Sequence, residues 1–169
     1  LTRIAKPDVA VITTVEAVHL ENFESVEGIA DAKAEILEGL GPDGTAVLNA
    51  DNRYCAYLRG KAGGRRVVTF GEAGDLRLAD VRISDGATVV TADLAGGRVL
   101  MRIGAPGRHL AMNALAALAA AEAMGADPAR AMLALGAWTP PEGRGTRQVI
   151  RLGPAGLDGE IVLIDESFN

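Results

Sequence analysis

The stretch 8-DVAVITTV-15 decides the fold, because it is a continuous run rich in β-branched residues. Such a run is typical of a strand that is buried on both faces of a parallel sheet. A helix follows it, with the Ser25 hydroxyl as the expected N-cap and glycines at positions 39 and 41 where it should end. A strand followed by a helix predicts a crossover to a parallel neighbour.

The same order of elements continues along the chain. Further βα units are predicted by a strand at 45-TAVLNA-50, a helical stretch over residues 52–61 and a strand at 66-RVVTFG-71. After residue 74 the apolar residues come in near-alternating runs, separated by Asp85-Gly86 and Gly96-Gly97. These runs predict antiparallel hairpins, a small sub-sheet at the edge of the domain. The expected fold class is therefore α/β, a mostly parallel sheet flanked by helices.

Two helices and a linker complete the chain. The first helix is expected over residues 108–124, and the second is opened by Asp127 as cap and Pro128 at its first position. The segment 139-TPPEGRG-145 is rich in Pro and Gly and is interpreted as a linker, followed by a buried strand at 161-IVLI-164. We therefore predict a boundary near Thr139, with domains at residues 1–138 and 139–169.

Composition excludes several classes of protein. The chain of 169 residues carries 17 basic and 22 acidic residues, and the basic ones are scattered, so nucleic acid is not an expected partner. The single Cys55 excludes an internal disulfide framework. The most apolar stretch, residues 110–124, is too short to cross a membrane. Because the chain starts at Leu1 and not Met, and stops in mid-motif at Asn169, we interpret it as an internal fragment of a longer protein. No signal peptide is visible, so a cytoplasmic location is the default expectation, and we expect a monomer.

Lys33 is the first candidate for chemistry, because it shares the apolar face of its helix. That face is formed by Val26, Ile29, Ala30, Ile36, Leu37 and Leu40. One interpretation is that the stem of Lys33 covers apolar surface while its ammonium reaches solvent. The other is a functional lysine, since burial favours the neutral amine, which can react with carbon dioxide to form a carbamate. A carbamate would supply oxygen ligands for Mg²⁺.

Further candidates lie in loops and on one helix face. His19 follows the carboxyl end of the first strand, beside Glu16 and Glu21, in an acidic loop suited to a metal ion. Each further residue also has a plain interpretation as a solvated side chain. A nucleotide site would use Asn113 on a base edge, Arg144 and Arg147 on phosphate, and Asp165 at a strand end. No GxxxxGK[ST] phosphate loop and no CxxC motif is present in the sequence.

Several motifs together resemble one known family, the Mur ligases. The run from 7-PDVAVITTVEAVHLE-21 through 30-ADAKAEI-36 to 47-VLNAD-51 is similar to the central domain of that family. The stretches 107-GRHLAMNALAALAAA-121, 143-GRG-145 and 164-IDESFN-169 resemble its later motifs in the same order. The last motif is most similar to that of the member that adds D-Ala-D-Ala to UDP-MurNAc-tripeptide. The resemblance implies ATP-dependent amide bond formation through an acyl phosphate in peptidoglycan precursor synthesis, with ATP and Mg²⁺ as cofactors.

The resemblance also implies roles for individual residues. Lys33 corresponds to the carbamylated lysine that helps to hold Mg²⁺, and His19 to a histidine ligand of that metal. Asn113 corresponds to the residue that contacts adenine, Arg144 to the arginine that meets the ATP phosphates, and Asp165 to the acid that meets the ribose. Because the family's phosphate loop precedes the first residue here, we expect the fragment alone to be inactive.

Four positions depart from the family pattern. They are Thr14 in place of Asn, Glu16 in place of Gly, Leu110 in place of the first Asn of the adenine helix, and Phe168 in place of Tyr. Two alternatives stay open at this point. One is another amide ligase of the superfamily, such as a different Mur ligase or a folylpolyglutamate synthase. The other is a non-catalytic α/β domain that binds a nucleotide or a partner protein.

Overall fold

The computed structural model describes residues 2–17, 25–141, 146–153, 159–165 and 167, without the side chains of residues 146 and 147. The chain divides into two compact units, residues 1–137 and 138–169. The first unit contains α1 (Thr2–Ala5), β1 (Val9–Ile12), α2 (Val26–Glu38), β2 (Thr45–Asn49), α3 (Cys55–Lys61), β3 (Arg66–Gly71), β4 (Leu76–Ser84), β5 (Ala87–Leu94), β6 (Gly97–Ile103), α4 (Arg108–Ala123) and α5 (Pro128–Ala137). The second contains β7 (Thr146–Arg151) and β8 (Glu160–Asp165).

The first unit is built on one six-stranded sheet in the order β1-β2-β3-β4-β5-β6. Strands β1 to β4 pair in parallel, whereas β4, β5 and β6 pair antiparallel. This confirms the predicted α/β class, a mostly parallel sheet with an antiparallel sub-sheet. The sub-sheet is continuous with the parallel strands, since β4 pairs directly with β3 at Phe70–Leu76 and Gly71–Arg77.

A short turn, not a helix, joins β3 to β4. The turn, residues 72–75, is held by the Asp75 carboxylate, which accepts hydrogen bonds from the Thr69 amide (2.9 Å) and hydroxyl (2.8 Å). The hydroxyl bond, and the amide bond after it, hold the pKa of Asp75 below its usual range. The parallel pair is therefore reached without the crossover that most parallel strands need.

Two apolar cores cover the two faces of the sheet. Helix α4 packs on one face with Val47, Phe70 and Val90, and helices α2 and α3 pack on the other with Ala46 and Leu48. Alternate residues of β2 therefore point to opposite cores, as the period of a strand requires. Burial on both sides explains why β1 and β2 read as unbroken apolar runs in the sequence.

The helix ends follow the expected capping chemistry. The Ser25 hydroxyl accepts from the Gly28 amide at 3.2 Å, and the Asp127 carboxylate accepts from the Arg130 amide at 2.9 Å. One residue of the predicted apolar face of α2 is wrong, because Ile36 is 37% exposed while Ala34 is buried. The buried stripe of α2 runs through Ile29, Ala30, Ala34 and Leu37, and Ile36 lies at its margin.

The second unit is an antiparallel pair formed by β7 and β8. The prediction of a buried strand at residues 161–164 is wrong in this structure, since these side chains are about half exposed, from Ile164 at 48% to Val162 at 53%. Among the described residues of this unit, only β7 pairs with β8, and a two-stranded ribbon has no layer on its faces. Across the part of the chain that is described, no helix has both the length and the apolar character needed to cross a membrane.

Candidate functional site

A cavity lies at the carboxyl ends of the first parallel strands. Its volume is about 340 Å³. Its walls are Val15, Glu16, Ala17, Val26, Asp51, Asn52 and Arg53. These residues follow β1, open α2 or follow β2, and ligands of open α/β sheets collect at this edge.

Lys33 reaches this edge from the middle of α2. Its side chain is partly buried, and its Nζ donates a hydrogen bond to the main-chain oxygen of Thr14 at 2.9 Å. Thr14 lies two residues beyond β1 and directly before Val15, which lines the cavity. The lysine therefore points inward, which decides between the two interpretations of its position on the apolar face, and its long stem covers the distance from α2 to the end of β1.

Three consecutive main-chain carbonyls after β1 each accept a hydrogen bond from a side chain. The pairs are Asn49 Nδ2 to Thr13 O (2.9 Å), Lys33 Nζ to Thr14 O (2.9 Å) and Asn52 Nδ2 to Val15 O (3.1 Å). We call residues 13–15 with these three donors the carbonyl clamp. The β1–β2 ladder ends at Ile12–Leu48, so the carbonyls of residues 13–15 have no partner in that ladder. Side-chain donors bind them instead and hold the main chain in place.

The two departures from the family pattern next to this clamp contact each other. The Thr14 hydroxyl donates to the Glu16 carboxylate at 3.0 Å and accepts from Asn52 Nδ2 at 3.3 Å. Thr14 and Glu16 therefore form a pair, in which a hydroxyl fixes an added carboxylate at the wall of the cavity.

Asp51 is another residue of the cavity wall, and its own position is fixed by main-chain amides. Its carboxylate accepts hydrogen bonds from the main-chain amides of Glu72 (2.8 Å) and Ala73 (3.0 Å), so it ties the end of β2 to the turn after β3. Gly71 permits this approach, since its φ is 126° and an added Cβ would lie 2.8 Å from the Asp51 Cγ. Only glycine adopts such a conformation readily.

Metal ligands are scarce among the described residues. No group of three or more His, Cys, Asp or Glu side chains is found in that part of the chain. The oxygen donors present at the cavity wall, Glu16 and Asp51, nevertheless suit a hard cation such as Mg²⁺. A carbamate on Lys33 would add two further oxygens at the same edge of the sheet. The donor chemistry fits Mg²⁺ in that form.

The start of α4 carries the predicted adenine contact. Asn113 is exposed on the surface of α4, while Leu110 is half-buried against the apolar core, so position 110 serves packing. The helix begins after Gly107, whose amide donates to the hydroxyl of the fully buried Thr88 at 2.8 Å. The guanidinium of Arg108, in the first turn of α4, pairs with the carboxylate of Glu72.

Several predicted site residues lie outside the described residues or in the second unit. His19, Glu21 and Arg144 lie outside the described residues, as does the side chain of Arg147. Asp165 ends β8 in the second unit and accepts a hydrogen bond from the Ser167 amide at 3.0 Å. Hydrogen bonds from Ser167, chiefly from its side chain, lower the pKa of Asp165. The roles of all these residues stay predictions.

Sequence reasoning gave no role to Asn49, Asp51 and Asn52. The signal that could have found them is three polar residues within 49-NADN-52, directly after an apolar strand. Polar residues at the carboxyl end of a buried strand lie where the site of a parallel sheet is expected.

Comparison with known proteins gives one consistent result. Residues 1–121 match the Mur ligase middle domain family. The chain is 33% identical over 171 aligned residues to the UDP-N-acetylmuramoyl-tripeptide--D-alanyl-D-alanine ligase of Escherichia coli (strain K12), covering 98% of the chain and 36% of that protein. It is 37% identical over 139 residues to the UDP-N-acetylmuramate--L-alanine ligase of Streptomyces coelicolor, covering 79% of the chain and 29% of that protein.

A solved structure agrees with these relatives. The crystal structure of MurF from Acinetobacter baumannii superposes with a TM-score of 0.88 at 27% identity, covering 99% of this chain and 35% of that one. The chain thus spans about a third of the length of the proteins that it matches.

Proposed function

The chain belongs to the Mur ligase family, and on that premise we propose that it is the middle part of an ATP-dependent ligase that forms an amide bond in peptidoglycan precursor synthesis. The observation that carries the proposal is the inward direction of Lys33, whose Nζ donates to Thr14 O at 2.9 Å at the edge of the sheet where ligands collect. A surface lysine that only covered apolar residues would turn its amine to solvent.

The proposed substrates are UDP-MurNAc-tripeptide and D-Ala-D-Ala. Two observations support this choice: the alignment with the D-Ala-D-Ala-adding relative spans 98% of the chain, and the chain ends in 164-IDESFN-169. A second candidate is addition of L-alanine to UDP-N-acetylmuramate, which is favoured by the higher identity, 37%, to a relative of that name.

The proposed reaction has two steps. The substrate carboxylate takes the γ-phosphoryl group of ATP and releases ADP, which gives an acyl phosphate. The amine nitrogen then attacks the acyl carbon, the bond to the phosphate oxygen breaks, and phosphate and one proton leave. A carboxylate must approach a polyanion in the first step, so positive charge between them lowers the barrier.

The residues of the chain have separate parts in this proposal. Lys33 as a carbamate and His19 would hold Mg²⁺, which supplies charge neutralisation when bound. Asn113 would contact the adenine. Arg144 would meet the phosphates and Asp165 the ribose.

The test is phosphate release by the intact parent protein with Mg·ATP and UDP-MurNAc-tripeptide. Release that depends on D-Ala-D-Ala is expected. Release that requires L-alanine and UDP-N-acetylmuramate would favour the second candidate, and release that responds to glutamate or another amine would indicate a different amide ligase of the superfamily. No release with any amine would contradict the ligase and favour a non-catalytic binding domain.

The lysine is tested separately. Lys33→Ala should abolish phosphate release, whereas Lys61→Ala should leave it unchanged. Lys61 is a matched control because it is a partly exposed lysine whose Nζ lies 3.3 Å from the Asp31 carboxylate, on the outside of α2 and α3. Full activity of Lys33→Ala at ordinary bicarbonate levels would refute the proposed role.

A further inference from the structure

The carbonyl clamp fixes the chain where the sheet no longer does. Past the last ladder pair, Ile12–Leu48, three carbonyls in a row are bonded by side chains from two other elements. Lys33 supplies the middle donor from α2, and the outer two donors, Asn49 and Asn52, come from the end of β2 and the loop after it. The two asparagines therefore fix the main chain on both sides of the central carbonyl, Thr14 O.

We infer that Asn49 and Asn52 are positioning residues that hold the Thr14 carbonyl where it orients the Nζ of Lys33 in the carbamate form. The inference rests on the proposed function, because it concerns the modification state of the proposed metal-binding lysine. Neither asparagine touches substrate in this inference; both act through the main chain of residues 13–15.

The carbamate form of Lys33 depends on the carbonyl clamp more than the ammonium form does. The neutral amine attacks the carbon of carbon dioxide: a C–N bond forms, one C=O π bond breaks with its electron pair moving to oxygen, and the nitrogen loses one proton to water. The ammonium has three N–H donors on a rotatable group, so it can follow a displaced carbonyl. The carbamate keeps one N–H in the plane of its carboxylate, so the direction of Thr14 O also sets the direction of the two oxygens.

Asn52 is held at both ends of its amide. Its Nδ2 donates to Val15 O and to the Thr14 hydroxyl, and its Oδ1 accepts from the Tyr54 amide at 3.0 Å. Asn49 is held in the same way, since its Oδ1 accepts from the Asp51 amide at 2.9 Å while its Nδ2 bonds Thr13 O. Both donors are therefore oriented before any ligand binds, as supporting groups of a metal ligand need to be.

The experiment measures carbamate occupancy directly. The intact parent protein is titrated with ¹³C-bicarbonate, and the carbamate signal in the ¹³C NMR spectrum is assigned by its loss in Lys33→Arg. Asn52→Ala and, as an independent variant, Asn49→Ala should raise the half-saturating bicarbonate concentration about two- to tenfold, the change that loss of one hydrogen bond of typical net strength produces. A cooperative thermal unfolding transition is required of each variant, to establish that it is folded.

The matched control is Tyr54→Phe. It removes the two hydrogen bonds of the Tyr54 hydroxyl, to the Glu27 carboxylate (2.8 Å) and from the Arg53 guanidinium (2.7 Å), but leaves all three donors of the clamp. Its half-saturating concentration should equal that of the parent. An equal shift in Tyr54→Phe, or none in the two asparagine variants, would overturn the inference.

The proposed function fails in a different way. A parent protein with no Lys33-dependent carbamate signal at any bicarbonate concentration would refute the carbamate itself, and the role of the clamp with it. That result appears before any asparagine is changed, so the two failures are distinguishable.

Discussion

Replacement of Gly71 by alanine should destabilise the first unit strongly for a change of one methyl group. Two effects add. A side chain at a φ of 126° adopts a backbone conformation that costs about 1–3 kcal/mol. The new Cβ would also lie 2.8 Å from the Asp51 Cγ, so the carboxylate must move away from the amides of Glu72 and Ala73.

The expected loss in the free energy of unfolding is about 2–4 kcal/mol, since weakening of the two amide bonds adds about 1 kcal/mol to the backbone term. For a chain of this size that loss lowers the midpoint of thermal unfolding by roughly 4–16 °C. The assay is urea unfolding followed by circular dichroism, with the midpoint and slope compared between Gly71→Ala and the parent chain.

A matched glycine provides the control. Gly60 lies inside α3, and an added Cβ would meet no atom within 4 Å. Gly60→Ala should therefore stabilise the chain by about 0.5–1 kcal/mol, because alanine is the better helix former. A loss below ~0.5 kcal/mol in Gly71→Ala would refute the reasoning. In an Asp51→Ala background the loss caused by Gly71→Ala should be smaller, because the carboxylate that the new Cβ displaces is absent and only the backbone term is left. An unchanged loss in that background would also contradict the reasoning.

Two further predictions concern residues away from the cavity. Thr88→Val should lower the free energy of unfolding by about 1–3 kcal/mol, because the Gly107 amide and the Ala105 carbonyl each lose their 2.8 Å bond to a fully buried hydroxyl. Thr88→Ser keeps the hydroxyl and should keep most of the stability that Thr88→Val loses. Equal losses in the two variants would contradict this explanation. The Asp93 carboxyl has a pKa of about 2, lowered mainly by the hydrogen bond from Arg98 and further by Arg77. Since its folded pKa is depressed, its contribution is present above the unfolded pKa and is lost as the pH falls towards 2, so the stability difference between the parent and Asp93→Asn should shrink from pH 5 to pH 2 in urea titrations.

Local patterns predicted the fold well where one element settles its own structure. The β-branched run before residue 15, the spacing of apolar residues in α2 and the cap at Ser25 each contain the signal within a few residues. The same spacing placed Lys33 on the apolar face of α2, but it left open whether the ammonium reaches solvent. The turn signals at Asp85-Gly86 and Gly96-Gly97 likewise gave both hairpins.

The contacts of the site had no such local signal. The donors of the carbonyl clamp lie 19 to 37 residues away from the carbonyls that they bind. The Asp51 carboxylate reaches amides 21 and 22 residues further on. Bonds between a side chain and a distant main chain leave no period in the sequence, so they become visible only when the strands are placed side by side. The direct pairing of β3 with β4 was hidden for a different reason, because a connection as short as residues 72–75 normally joins antiparallel strands.

The late position of helix α4 in the sequence affects how the first unit folds during synthesis. It contacts all six strands of the sheet, although the strands occupy residues 9–103 and the helix ends only at residue 123. About 100 residues separate β1 from the helix that covers it, which at ~5–20 residues per second is roughly 5–20 s of synthesis on the ribosome. During that interval one face of the nascent sheet has no cover, and the final step of folding must wait for a late helix to dock across early strands. Contacts of such long sequence separation make folding slow, so this domain should depend on chaperones more than a helical bundle of equal size.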